Sequence, residues 1–263
     1  DLADIASMAE LLEVLGAETS IAPGVGEFAG RRMHIRAQTL TATEAPYDLV
    51  RKMRASVLVL GPLVARAGEA KVSLPGGCAI GNRPVDLHLM ALEEMGAKIE
   101  LEAGYIQALA PNGLKGARIA FPLVSVGATE NALMAAALAT GETILLNAAR
   151  EPEIVDLANC LNAMGARVTG HGTDTIKIVG VTDLGAATHR VIADRIGACT
   201  FAMAAGITNG CLALHHVEPR HLDALWDVLR ATGITVTEGE NSVTIDAPDR
   251  VRAADISTDP FPG

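Results

Sequence analysis

Leu92-Glu-Glu-Met-Gly-Ala97 runs directly into Lys98-Ile-Glu-Leu-Glu-Ala-Gly-Tyr-Ile106, and the reading of that passage decides the fold. Leu87, Met90, Ala91 and Met95 recur at helical spacing, Gly96 stands where a helix C-cap belongs, and the residues beyond it alternate as a strand does. The same signature returns at Leu12-Glu-Val-Leu-Gly-Ala17, Leu161-Asn-Ala-Met-Gly-Ala166 and Leu229-Arg-Ala-Thr-Gly-Ile234. Strand, turn and strand are expected after it again, over Arg167–Ile178 and Thr235–Ile245.

A second helix–Gly–strand unit alternates with the first. Its copies are Met53–Gly68 before Lys71-Val-Ser-Leu74, Thr129–Gly141 before Thr143-Ile-Leu-Leu146, and Arg195–Gly210 before Cys211-Leu-Ala-Leu214. These helices are apolar nearly all round, so they are expected in the interior. The period is roughly 70 residues, too long for the common solenoids. Each period reads as βαβαββ, and the expected class is α/β, an inside-out α/β barrel with helices within and sheets outside. Thr19–Arg32, Leu109–Gly116 and Val217–His221 read as loops.

The chain has 263 residues, 49% apolar and 20% charged, which is a globular composition. Only 3% is aromatic, so the core must be aliphatic. A net charge of −10 without any basic, aromatic-interleaved run argues against a nucleic-acid partner. The richest apolar run, Ala132–Ala139, is far short of a membrane span. Four cysteines without Cys-x-x-Cys spacing suit reduced thiols in a cytoplasmic protein.

Chemistry is concentrated in Ser73-Leu-Pro-Gly-Gly-Cys-Ala-Ile-Gly-Asn-Arg-Pro-Val-Asp-Leu-His88. Glycines and prolines there bracket Cys78 and Arg83, as if to present them. A neighbouring cation lowers a thiol pKa, so Cys78 reads as reactive. Cys160, Cys199 and Cys211 read as small buried hydrophobes. Arg83, before a helix with Pro84 near its first position, suits an anion site. Arg54, at the entry to an apolar helix, needs either a carboxylate or a bound phosphate. Ser125-Val-Gly-Ala-Thr-Glu-Asn131 opens another apolar helix and reads either as a phosphate cradle or as plain capping by Thr129. His215, His216 and His221 fit no zinc spacing, and Gly24–Gly30 is no dinucleotide fingerprint. No cofactor or metal is expected.

The loop closely resembles the UDP-N-acetylglucosamine 1-carboxyvinyltransferase family of enolpyruvyl transferases. The similarity extends through Ala45-Pro-Tyr-Asp-Leu-Val50, Met53-Arg-Ala-Ser56, Val124-Ser-Val-Gly-Ala-Thr129, Asn147–Asp156 and Asp194-Arg-Ile196. It implies two inside-out domains of three βαβαββ units each. It also implies transfer of the enolpyruvyl group of phosphoenolpyruvate to the 3-hydroxyl of UDP-N-acetylglucosamine, the first committed step of peptidoglycan synthesis. By this resemblance Cys78 is the proton donor and the target of fosfomycin. Arg54 and Arg83 hold anionic groups, Pro84, Val85, Asp86 and Leu87 cradle the uridine, and Ser125, Val126 and Gly127 surround the diphosphate.

Leu123 stands where the family usually has Lys, and Gly197 where it usually has Glu. The family's Lys-Asn motif has no counterpart before Asp1, and its general-base aspartate falls just beyond Gly263. The expectation is a near-complete domain over 1–192, part of a second over 193–263, and no turnover by this chain alone. Two other readings remain: a shikimate-type enolpyruvyl transferase and a non-catalytic UDP-sugar-binding module.

Overall fold

A computed structural model describes residues 3–24, 30–74 and 85–262. The chain is α/β, and it divides into two compact units: residues 1–148 with 158–187, and residues 149–157 with 188–263.

The Leu-x-x-x-Gly signature is a helix stop made four times. Gly16, Gly96, Gly165 and Gly233 all take left-handed φ, from +92° to +104°. The next residue's N–H reaches back to the leucine carbonyl: Ala17 to Leu12, Ala97 to Leu92 and Ala166 to Leu161 at 2.9 Å, Ile234 to Leu229 at 3.2 Å. Each glycine N–H meanwhile bonds the residue after that leucine, for example Gly96 to Glu93 at 2.8 Å. This paired 6→1 and 5→2 arrangement satisfies carbonyls a helix end would leave bare, and its left-handed residue is cheapest as glycine. The helices so ended are α1 (Ala3–Val14), α4 (Asp86–Glu94), α6 (Pro152–Ala163) and α8 (Asp223–Ala231). Hairpins follow as expected after three of them, β5 (Lys98–Glu102) with β6 (Tyr105–Leu109), β9 (Arg167–Thr169) with β10 (Thr175–Val179), and β12 (Thr235–Glu238) with β13 (Ser242–Asp246), and β1 (Glu18–Pro23) pairs with β2 (Arg31–Arg36) in the same way after the first.

The interleaved elements are α3 (Leu60–Ala67) before β4 (Glu69–Ser73), α5 (Val126–Ala136) before β8 (Glu142–Leu146), and α7 (Arg195–Ile207) before β11 (Cys211–His215). With short β3 (Glu44–Ala45), the four-residue α2 (Tyr47–Val50) and β7 (Arg118–Ala120), the repeat is visible in the sheets themselves. One sheet runs β3-β4-β6-β5 and another β7-β8-β10-β9; in each, the first pair is parallel and the others antiparallel. The order β11-β13-β12 repeats three strands of that plan, and β1-β2 repeats two. The two four-stranded sheets are mixed, the other two are antiparallel, and among the described residues none closes on itself.

Packing follows burial. In the first unit α5 lies against both α3 and α4, and its buried residues, from Ala128 to Ala136, face all round. In the second unit Ala198, Ala202 and Ala205 of α7 meet Trp226, Leu229, Val243 and Ile245 in one core.

Several expectations are corrected. Arg54–Val59 is a 3-10 helix, and α-helix begins only at Leu60. Pro62 explains this: it has no N–H and crowds the carbonyl four residues back, so it is accommodated only in the first α-turn. Thr19–Arg32 is no loop, since its ends belong to β1 and β2, and Val217–His221 includes the start of a 3-10 turn, Pro219–Leu222. α7 is not interior on all sides, because Ile196, Phe201, Met203 and Ile207 are exposed. Among the described residues it packs on β11, β13 and the Pro219–Leu222 turn, which together cover one face. Cys211 is exposed rather than buried. No helix among the described residues is long and apolar enough to cross a membrane.

Candidate active site

The described residues among those named from sequence fall at three helix starts of the first unit. Arg54 is the first residue of the 3-10 helix leading into α3. Val85 caps α4, and Asp86 and Leu87 begin it. Ser125 caps α5, with Val126 and Gly127 in its first turn. Cys78, Arg83 and Pro84 lie outside the described residues.

The cap of α5 is Ser125 and not Thr129. The Ser125 hydroxyl accepts from the Ala128 N–H at 3.3 Å, and the Thr129 hydroxyl donates to the Ser125 carbonyl at 2.8 Å. Asp86 places a carboxylate in the first turn of α4, where the helix dipole favours it. Leu123, two residues before the Ser125 cap of α5, offers solvent an apolar side chain, 70% exposed.

What brings the three starts together is a residue that sequence reading passed over. His88, in the first turn of α4, is buried at 4% exposure. Its Nδ1 is 3.0 Å from Nδ2 of Asn131 on α5. A Cβ built on Gly127 would stand 3.2 Å from His88 Cε1, so the turn closes directly over the imidazole. The His88 pKa is lowered to about 4, first by burial and then by the charge of Arg54, with Asp86 opposing both. Arg54 and Asp86 thus act electrostatically on one neutral ring beneath Gly127. The signal was available: Asn131 is a polar residue in the apolar run Asn131-Ala-Leu-Met-Ala-Ala-Ala137, where an amide needs a partner.

In the second unit Arg195 makes a two-pronged contact with Glu153, 2.9 and 3.2 Å, and lies over the Phe261 ring. Asp194 caps α7 by accepting from the Gly197 N–H at 2.9 Å. Cys199 has its pKa raised by burial, with Arg195 opposing, which makes it a poor thiolate. Among the described residues no group of His, Cys, Asp and Glu is arranged to hold a metal ion.

The family model for EPSP synthase (3-phosphoshikimate 1-carboxyvinyltransferase) matches residues 1–263. The chain belongs to that family. Within it, the chain is similar to proteins named UDP-N-acetylglucosamine 1-carboxyvinyltransferase: 56% identical over 263 residues to that of Sphingopyxis alaskensis and 53% to that of Zymomonas mobilis. All of this chain is matched in both comparisons, and it spans 62% of each relative's length. Among solved structures, the enolpyruvyl transferase NikO from Streptomyces tendae matches with a TM-score of 0.81 at 23% identity, covering 96% of this chain and 59% of that one. EPSP synthase from Acinetobacter baumannii matches at 0.63 and 20% identity, covering 92% and 56%. Both likenesses are of fold.

Proposed function

We propose that this chain carries the acceptor-binding part of an enolpyruvyl transferase that moves the enolpyruvyl group of phosphoenolpyruvate to the 3-hydroxyl of UDP-N-acetylglucosamine. The observation that carries the reading is identity of 53–56% across the whole chain with relatives named for that reaction. The solved shikimate-type enzyme supports the fold at 20% identity and says less about the acceptor.

The chemistry follows from the residues. The acceptor hydroxyl adds to C2 of phosphoenolpyruvate while C3 takes a proton; loss of a C3 proton then expels phosphate. Cys78 is assigned as the proton donor at C3. Arg54 and Arg83 offset the charge of two anionic substrates. Pro84, Val85, Asp86 and Leu87 hold the uridine at the start of α4. Ser125, Val126 and Gly127 offer the free N–H groups of a helix start to the diphosphate. The reading takes residues 1–192 as nearly all of one domain and residues 193–263 as part of a second. It further assigns the enzyme to peptidoglycan synthesis in the cytoplasm, and so to cell shape and division, with fosfomycin alkylating Cys78.

Isothermal titration tests the acceptor. UDP-N-acetylglucosamine is expected to bind and shikimate 3-phosphate is not; the reverse preference sinks the assignment. Phosphate release with both substrates tests turnover, and release that needs both substrates is expected of the intact protein. Binding without release by the intact protein would favour a non-catalytic module instead.

A further inference from the structure

Asn131 is completely buried, and each polar atom of its side chain has a partner. Its Oδ1 is 2.7 Å from the Gly61 backbone nitrogen in α3. A peptide N–H can only donate, so that atom is the oxygen and the orientation of the amide is fixed. The NH2 group then lies 3.0 Å from His88 Nδ1 and 3.4 Å from the Val57 carbonyl. An amide NH2 can only donate, so Nδ1 supplies a lone pair and the neutral ring carries its proton on Nε2. That edge of the ring faces Gly127, since a Cβ there would be 3.3 Å from Nε2. Gly61 shows the same closeness: a Cβ on it would come within 2.6 Å of the Asn131 carbonyl oxygen.

One amide therefore joins the start of α3, the start of α4 and the body of α5, the elements that begin with Arg54, Asp86 and the Ser125–Gly127 turn. We propose that Asn131 is a positioning residue for the nucleotide-sugar site: it sets His88 as the Nε2–H tautomer and locks three helix starts into one preformed surface. The inference rests on the reading of those starts as the UDP-N-acetylglucosamine site. Preformation matters because any ordering left until binding is subtracted from affinity.

The test uses the intact protein with 15N-labelled histidine. The NMR spectrum of the parent is expected to show the His88 proton on Nε2 and none on Nδ1; a proton on Nδ1 overturns the proposal. Asn131→Asp replaces the donor by an acceptor of the same shape, so Nδ1 must take up a proton. Its dissociation constant for UDP-N-acetylglucosamine is expected to rise about ten-fold or more, with kcat at saturation changed far less. Should Asn131→Asp fail to fold, His88→Leu and His88→Asn decide. Leucine fills the space without an acceptor and is expected to weaken binding similarly, whereas asparagine restores an acceptor near Nδ1 and recovers most of the affinity. Equal affinity in His88→Leu and the parent, at equal thermal stability, overturns the tie. A parent that binds no UDP-N-acetylglucosamine defeats the proposed function instead, and the tautomer still decides whether the amide sets the ring.

Discussion

A single imidazole illustrates how strongly burial governs a residue here. The His88 pKa is about 4 in the fold, against 6.5 unperturbed, so the folded chain disfavours the charged ring. As pH falls below 6.5 the unfolded chain takes up the proton first, and the linkage works against folding. The stability from a neutral His88 is therefore complete above about pH 6.5 and is lost on acidification towards pH 4, by roughly 3 kcal/mol in all. Urea midpoints between pH 7 and 4.5 should fall more steeply for the parent than for His88→Asn; parallel slopes would contradict this. Gly61 is the steric counterpart. Its missing Cβ is the space occupied by the Asn131 side chain, so Gly61→Ala should cost about 1–3 kcal/mol in urea unfolding, as overpacking does.

At the scale of elements, the helix stop is the feature most open to quantitative test. Gly165 has φ of +101° and open space where a Cβ would go, so a substitution there meets only backbone strain. Gly165→Ala is expected to lose about 1–2 kcal/mol and Gly165→Asn less, because asparagine tolerates left-handed backbone better. In α7 the contrast between faces is testable by thermal melts. Phe201→Ser, on the exposed side, should change stability by no more than about 0.5 kcal/mol. Ala202→Leu, in the core with Trp226, should cost about 1–3 kcal/mol. These elements also show what the sequence made legible. The four stops could be read because a helix C-cap is local chemistry, complete within six residues. Most of strand β1 lies in the stretch Thr19–Arg32, which reads as loop because five of the strand's six residues are exposed and burial leaves little trace in its composition. The 3-10 turn at Arg54 hid behind apolar residues that suit either helix. The tie of Asn131 to Gly61 and His88 joins residues 70 and 43 positions apart, and no local pattern encodes such a pair.

For the molecule as a whole, the repeated sheet order explains how a chain poor in aromatic residues builds its core. α5 and α7 are rich in alanine, and small side chains let a helix such as α5 be covered on every side. The aromatic residues are few and unequally shared between the compact units. Trp226, the only tryptophan, is fully buried in the second unit with its indole N–H donating to the Pro219 carbonyl at 2.8 Å. The only two tyrosines, Tyr47 and Tyr105, belong to the first. The protein is thus spectroscopically two-coloured without any label. Emission excited at the red edge of indole absorption follows the Trp226 core alone, and tyrosine difference absorbance follows the unit bearing Arg54, Asp86 and Ser125. A denaturant titration read in both colours assigns each variant's loss to its own unit: Gly61→Ala should move the tyrosine midpoint, and Ala202→Leu the tryptophan midpoint.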